Sequence, residues 1–205
     1  MNKPEVVVFD LGKVLVDFDY SIAARKIAAQ AERSAAQVQE LLDHSPLLLR
    51  FEHGHLTARE FFEAVRGQAK FRGSYEEFTA AFADIFSEMP RMVRLHADLR
   101  AQQIPTFIFS NTNELAIHHV RRNFPFFANF TGYILSYEHG AMKPDARLYE
   151  VVECTTGRHG AGILYIDDRA ENVAGGTARG WQTIWQETPE KTVAAMQALG
   201  VLTPS

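Results

Sequence analysis

Val6-Val7-Val8-Phe9-Asp10-Leu11-Gly12-Lys13-Val14-Leu15 is the stretch whose reading decides the fold. Its first four residues are β-branched or aromatic, too few for a helix, and they end in an acid and then a glycine two places on. That pattern reads as a buried strand that delivers a carboxylate to a sharp turn. An acid after a strand is also a common turn or helix-capping residue. Whether Asp10 is a nucleophile therefore depends on what lies downstream.

Two textures follow. From Tyr20 to about Met89 the pattern is helical, with capping-box signatures at Ser34-Ala35-Ala36-Gln37, Thr57-Ala58-Arg59-Glu60 and Ser74-Tyr75-Glu76-Glu77, each ahead of apolar residues at helical spacing. A bundle of about four helices is predicted there, with Phe61-Phe62, Phe78, Phe82 and Phe86 as its core. Beyond it, a helix over Arg91 to Gln103 leads into strands Pro105 to Ser110, Gly132 to Leu135, Gly162 to Asp167 and Trp181 to Trp185. Helices Glu114 to Asn123, Asp145 to Thr155 and Ala170 to Arg179 separate them. This is the alternation of an α/β parallel sheet with helices on both faces. The expected organisation is a catalytic core over residues 1–19 and 90–205 and a helical cap over 20–89. An insertion directly after the first strand sits above the carboxyl ends of the strands, where open α/β sheets bind ligands.

Bulk properties narrow the partners. The chain has 205 residues, 46% of them hydrophobic, and a formal net charge of −4 without a basic run. That balance argues against nucleic acid and anionic membrane and favours a small molecule. One cysteine, Cys154, excludes an internal disulfide and fits a reducing cytoplasm; its neighbours suggest a half-buried helix position. The start Met1-Asn2-Lys3-Pro4-Glu5 runs straight into the first strand, which indicates neither secretion nor membrane insertion. The tail Thr203-Pro204-Ser205 is expected to fray. Oligomeric state is open, monomer or homodimer.

On the predicted scaffold, Asp10, Ser110-Asn111-Thr112-Asn113, Lys143 and Asp167-Asp168 all face one crevice. Each has a bland alternative as a helix cap or a solvated loop residue. Together they supply a nucleophile, a small hydroxyl beside free backbone N–H groups, a cation and a carboxylate pair, which is what phosphoryl transfer requires. His118-His119, His44, His96, His139 and His159 lack the spacing of a zinc site and read as surface or cap residues.

At these positions the sequence resembles the haloacid dehalogenase-like hydrolase superfamily. Phe9-Asp10-Leu11-Gly12, Phe109-Ser110-Asn111-Thr112, Met142-Lys143-Pro144-Asp145 and Tyr165-Ile166-Asp167-Asp168 carry the match. The longer runs Asp10 to Asp19 and Lys143 to Tyr149, with Phe51-Glu52-His53-Gly54-His55-Leu56-Thr57, are most similar to the bacterial branch that includes α-D-glucose-1-phosphate phosphatase. The resemblance implies a Rossmann-like core with a helical cap inserted after the first strand. It implies that Asp10 attacks phosphorus to form an aspartyl-phosphate. Mg²⁺ would be held by Asp10, Asp168 and the carbonyl of Gly12, with Asp167 orienting a bound water. Ser110 and the backbone N–H of Asn111 would receive phosphate oxygens, and Lys143 would offset charge. Three carboxylates in one crevice need a hard cation on physical grounds as well. Asn172, one helical turn beyond Asp168, reads either as a brace for Asp168 or Lys143 or as an exposed helix residue.

Gly12 departs from the superfamily pattern, in which an aspartate two residues after the nucleophile protonates the leaving group. Acid–base help of this kind contributes about 10²–10⁴-fold. Its loss favours substrates whose leaving groups depart with little protonation: anomeric sugar phosphates, aryl phosphates and acyl phosphates. A cap residue is the other route to an acid, with Glu52 and His53 as candidates, although their surroundings read first as a polar loop before the helix at Thr57. Two alternatives to a Mg²⁺-dependent phosphatase stand beside it. One is a metal-independent 2-haloacid dehalogenase, and the other is a non-catalytic phosphate-binding or regulatory protein that has lost its acid.

Overall fold

The structure, a computed structural model, describes residues 3–43 and 45–202. His44, the first two residues of the start and the tail Thr203-Pro204-Ser205 lie outside the described residues.

Strand β1 (Val6–Phe9) leads through a turn into the short β2 (Val16–Phe18). Five helices follow: α1 (Tyr20–Ala28), α2 (Ala35–Leu42), α3 (Pro46–Glu52), α4 (Ala58–Ala69) and α5 (Tyr75–Ala83). Strand β3 (Phe86–Glu88) returns antiparallel to β2. Then come α6 (Pro90–Ala101), β4 (Thr106–Ser110), α7 (Glu114–Asn123), β5 (Gly132–Leu135), the one-turn α8 (Ser136–His139) and α9 (Ala146–Thr156). The chain finishes through β6 (Ile163–Asp167), α10 (Ala170–Ala178), β7 (Gln182–Trp185) and α11 (Pro189–Ala198).

The sheet is parallel throughout, in the order β5-β4-β1-β6-β7, so that β1 lies at its centre. A strand with neighbours on both sides and helices on both faces has no polar face. Accordingly Val7 and Phe9 enter one apolar cluster, and Val6 and Val8 enter the other. Helices α6, α7 and α11 cover the first face through Met92, Leu95, Ile117 and Met196. Helix α9 covers the second through Leu148, Tyr149 and Val152. Register fixes what stands at the carboxyl edge. Phe9 pairs with Ile108 and Ile166, which brings Asp10 level with Phe109 and Asp167. Strand order reverses at β1, and the crevice opens beside it.

The helical segment has a separate apolar cluster built on Phe51, Phe61, Phe62, Phe78 and Phe82. All three capping boxes form, with reciprocal bonds between Ser34 and Gln37, Thr57 and Glu60, and Ser74 and Glu77.

Several expectations need correction. Among its described residues the segment holds five helices rather than about four, because Ser45 and Pro46 start a separate helix. Phe86 opens β3 instead of ending the helical stripe, and its ring lies against Phe18 across the ribbon. Helix α11 was not anticipated; Thr188 caps it ahead of Pro189. Cys154 is exposed, since Leu148, Tyr149, Val152 and Glu153 form the inward stripe of α9 and position 154 falls outside it. His96 is a core residue, not a surface one. It is satisfied by the Thr106 hydroxyl at 3.0 Å, stacked on Phe130 at 3.8 Å, and its pKa is pushed down to about 4 by burial.

Candidate active site

Asp10 is the first residue past β1, and its backbone N–H still donates to Ile166 at 2.9 Å, so the strand hydrogen bonding holds it in place. The chain then turns back on itself. Val16 N–H donates to the Leu11 carbonyl, Gly12 bridges Val16, and Lys13 takes a left-handed conformation. Gln186 supports this turn from the far end of β7 by donating to the Lys13 carbonyl at 2.8 Å. Nothing in the sequence around Gln186 signals that contact, because a glutamine after a strand reads as solvated.

Lys143 is the hub. Its side chain is 1% exposed, and its ammonium stands 3.0 Å from Asp10 Oδ1 and 2.7 Å from Asp167 Oδ2. A third bond goes to the Phe109 carbonyl at 2.9 Å, which uses up the donors of the ammonium group. The loop that carries Lys143 is clamped by the Asn111 side chain. Asn111 Oδ1 accepts from Lys143 N–H at 2.8 Å, and Asn111 Nδ2 donates to the Lys143 carbonyl at 3.0 Å. The Asn111 side chain thus has a role beyond the expected backbone N–H, and a two-way amide clamp of this kind is a long-range pairing without a local signature.

Asp167 has its oxygens occupied. Besides Lys143 it accepts from the Tyr165 hydroxyl, from Arg169 N–H at 2.8 Å and from Asn172 Nδ2 at 3.1 and 3.2 Å. Asn172 therefore braces Asp167, not Asp168 or Lys143, and Tyr149 bonds the Asn172 carbonyl in turn. Asp168 is less enclosed, and its backbone carbonyl accepts from Trp185 Nε1 at 2.8 Å.

The charges interact strongly. Burial pushes the Asp10 carboxyl up to about 7; Lys143 opposes the shift, and the neighbouring charges of Asp167 and Asp168 add to it. Asp168 is likewise raised by burial and by Asp167. Burial works against the Lys143 ammonium, but Asp10 and Asp167 more than offset it and raise its pKa. Burial also works against ionised Asp167, and Lys143 and the hydrogen bonds outweigh it, leaving the pKa lowered. The buried Lys143 ammonium is thus paired with two of the three clustered carboxylates. Ligand oxygens of Asp10, Asp167 and Asp168 all lie within 4.8 Å of one another, an arrangement with room for a divalent cation.

Asp10, Gly12, Asn111, Lys143 and Asp168 line a cavity of about 540 Å³. Ser110 and Asp167 stand behind its wall, 3% and 0% exposed. The roof comes from the helical segment, through Tyr20, Asp43, Leu48, Leu49 and Glu52. Glu52 ends α3 and so is not part of a polar loop. His53 is turned away from the lining, with its Nδ1 against the Leu49 carbonyl and its ring stacked on His55. Gly12 lies under Phe18: a Cβ added there would stand 2.8 Å from Phe18 Cε1.

Comparison with known proteins places this geometry in a family. The family model described as haloacid dehalogenase-like hydrolase matches residues 4–180. A protein from Porphyromonas gingivalis described as a predicted HAD-like family hydrolase is similar at 24% identity and a TM-score of 0.81, with 97% of this chain and 98% of that one covered. A HAD family enzyme from Bacteroides thetaiotaomicron, solved in complex with magnesium and inorganic phosphate, aligns at 23% identity and a TM-score of 0.78, covering 89% and 93%. The L-2-haloacid dehalogenase of Xanthobacter autotrophicus aligns at 18% identity and a TM-score of 0.66, covering 98% of this chain and 85% of that one.

Proposed function

The chain belongs to the haloacid dehalogenase-like hydrolases, and from that premise we propose that it is a Mg²⁺-dependent phosphatase acting on a small phosphorylated metabolite through an aspartyl-phosphate on Asp10. The observation that carries this reading is the carboxylate cluster: three acids within 4.8 Å of one another, with the Lys143 ammonium paired to two of them, Asp10 and Asp167. A nucleophile of this kind must be ionised, yet burial and its neighbours hold Asp10 near 7. A hard cation held by Asp10, Asp168 and the Gly12 carbonyl would relieve that conflict. The Bacteroides thetaiotaomicron enzyme, which binds both magnesium and phosphate, supports the same reading.

When bound, Mg²⁺ would offset the negative charge of the carboxylates and of the phosphoryl oxygens. The protein groups divide the remaining work. Asp10 Oδ2 is the free oxygen of the nucleophile, because Oδ1 is fixed by Leu11 N–H at 2.7 Å and by Lys143. Lys143, held on three sides, is a preorganised positive charge beside the transferring group. Asp167 holds Lys143 in place. At the end of β4, we assign the phosphate oxygens to the backbone N–H of Asn111, which lines the cavity, and to the Ser110 hydroxyl, which is enclosed behind the wall and would have to turn from the Asn111 carbonyl to reach them. The cavity admits a monoester of a small molecule, and Gly12 has no side-chain proton to give the leaving group.

Phosphate release from a panel of sugar, acyl, aryl and alkyl phosphates tests the proposal. Activity is expected with Mg²⁺, lost in EDTA and restored by excess Mg²⁺. Asp10→Asn is expected to lower it by more than about 10³-fold. Halide release from 2-haloacids that persists in EDTA, without phosphate release, would establish the dehalogenase chemistry of the Xanthobacter autotrophicus relative instead. Tight Mg²⁺-dependent binding of beryllium fluoride without turnover of any ester would mark a non-catalytic phosphate binder.

A further inference from the structure

Glu52 is the one acid of the roof whose carboxylate makes no hydrogen bond or ion pair among the described residues, although it lines the cavity that holds Asp10, Lys143 and Asp168. The neighbouring acid Asp19 is committed: it caps α1 and accepts from both Ser21 N–H and Ser21 Oγ, which keep it ionised. Arg169, the cation that faces Glu52, gives its guanidinium to Glu171. Among the described residues of the roof, the further titratable groups are Tyr20 on α1 and Asp43, the C-cap of α2. An enclosed carboxylate without a partner is costly, and such groups persist where a substrate supplies the partner.

The backbone under Glu52 is anchored to the core. Its carbonyl accepts from Ser136 Oγ at 2.6 Å, and Ser136 itself sits on the first turn after β5, next to the active-site edge. Two residues on, Gly54 packs so closely on Tyr137 that an added Cβ would stand 2.2 Å from the Tyr137 carbonyl oxygen. The end of α3 is therefore held at a fixed height over the crevice. Burial pushes the Glu52 carboxyl up to about 7, with Arg169 opposing, which leaves both protonation states accessible at neutral pH.

We propose that Glu52 is the general acid and base of this site, delivered by the helical segment in place of the core aspartate that Gly12 lacks. The inference rests on the phosphatase reading. In the first step an Asp10 oxygen bonds to phosphorus as the bond from phosphorus to the ester oxygen breaks, and the Glu52 proton passes to that oxygen to release an alcohol. In the second step Glu52, now a carboxylate, takes a proton from water as the water oxygen bonds to phosphorus. The bond from phosphorus to Asp10 breaks, which frees phosphate and restores both carboxyl groups.

The test is the dependence of rate on the leaving group. Wild type, Glu52→Gln and Glu52→Asp are assayed with Mg²⁺ on phosphates whose leaving alcohols span a wide pKa range, from p-nitrophenyl to simple alkyl. Glu52→Gln is expected to lower kcat/KM on alkyl esters by about 10²–10⁴-fold, and on p-nitrophenyl phosphate far less. Glu52→Asp is expected to keep the shallow wild-type slope. A merely structural role lowers all esters equally, so a uniform loss, or no loss, in Glu52→Gln overturns the assignment while wild-type turnover leaves the phosphatase reading standing. Absence of phosphate release by wild type from every ester overturns both.

Discussion

Gly12 and Phe18 are a coupled pair. A side chain at position 12 must displace the Phe18 ring, whose Cε1 would lie 2.8 Å from the new Cβ. That ring is held in turn by Tyr20 and Phe86. Installing the superfamily's usual acid therefore carries a packing cost in this chain. Gly12→Asp is expected to lower unfolding free energy by about 1–3 kcal/mol, and Gly12→Asp/Phe18→Leu to recover much of it, as read by urea denaturation. An equal loss in the single and double variants would show that the turn, not the ring, resists the substitution. Asp10, Ser110, Lys143 and the Asp167-Asp168 pair were legible as candidates because each follows an apolar strand or precedes a helix start. The clamp on Lys143 by Asn111 and the bracing of Asp167 by Asn172 were not, since each depends on the distance between elements remote in sequence.

Helix α9 shows how an element on the far face of the sheet is fixed. Glu153 sits on its inward stripe and receives Arg179 Nε at 2.9 Å, Arg179 Nη2 at 2.6 Å and Trp181 Nε1 at 3.0 Å, joining α9 to the segment between α10 and β7. The Arg179 hydrogen bonds, aided by Trp181, hold the Glu153 carboxyl down at about 2 against an ordinary 4.5. A depressed folded-state pKa stabilises the protein fully above the unfolded value and loses that contribution as the pH falls toward the folded one. Glu153→Gln is expected to cost about 2 kcal/mol at pH 7. The gap between variant and wild type should close between about pH 5 and pH 2, as followed by denaturant midpoints. A gap independent of pH would assign the loss to packing instead. At this scale the strands and the three capping boxes could be read from sequence because period and cap chemistry are local. Helix α11 and the β2–β3 ribbon escaped that reading: the ribbon strands are three residues each, and they exist only because the two ends of the helical segment meet.

Across the whole molecule, the helical segment and the sheet are latched at several points. Ser136 bonds the Glu52 carbonyl, Glu114 accepts from Ala58 N–H at the start of α4, and Gly54 seats on Tyr137. Gly54 adopts φ of +72° as well, so a side chain there is opposed by backbone conformation and by the Tyr137 carbonyl together. Gly54→Ala is expected to lift the roof from the crevice. It should lower kcat/KM for phosphate release by at least about tenfold, the scale of a small displacement of positioned groups, while circular dichroism keeps the wild-type helix content. Unchanged kinetics would mean that the latch does not set the height of α3. Sequence alone determined the fold class, the alternation of strand and helix, and which acids and lysine stand as candidates at the strand ends, because periodicity, caps and strand ends are encoded within a few residues of themselves. Tertiary structure alone decided which roof acid lacks a partner among the described residues, which asparagine holds Lys143, and that Glu52 and Asp10 line one cavity. Those facts are set by register across the sheet and by the seating of one layer on the other, and neither is a property of any single segment.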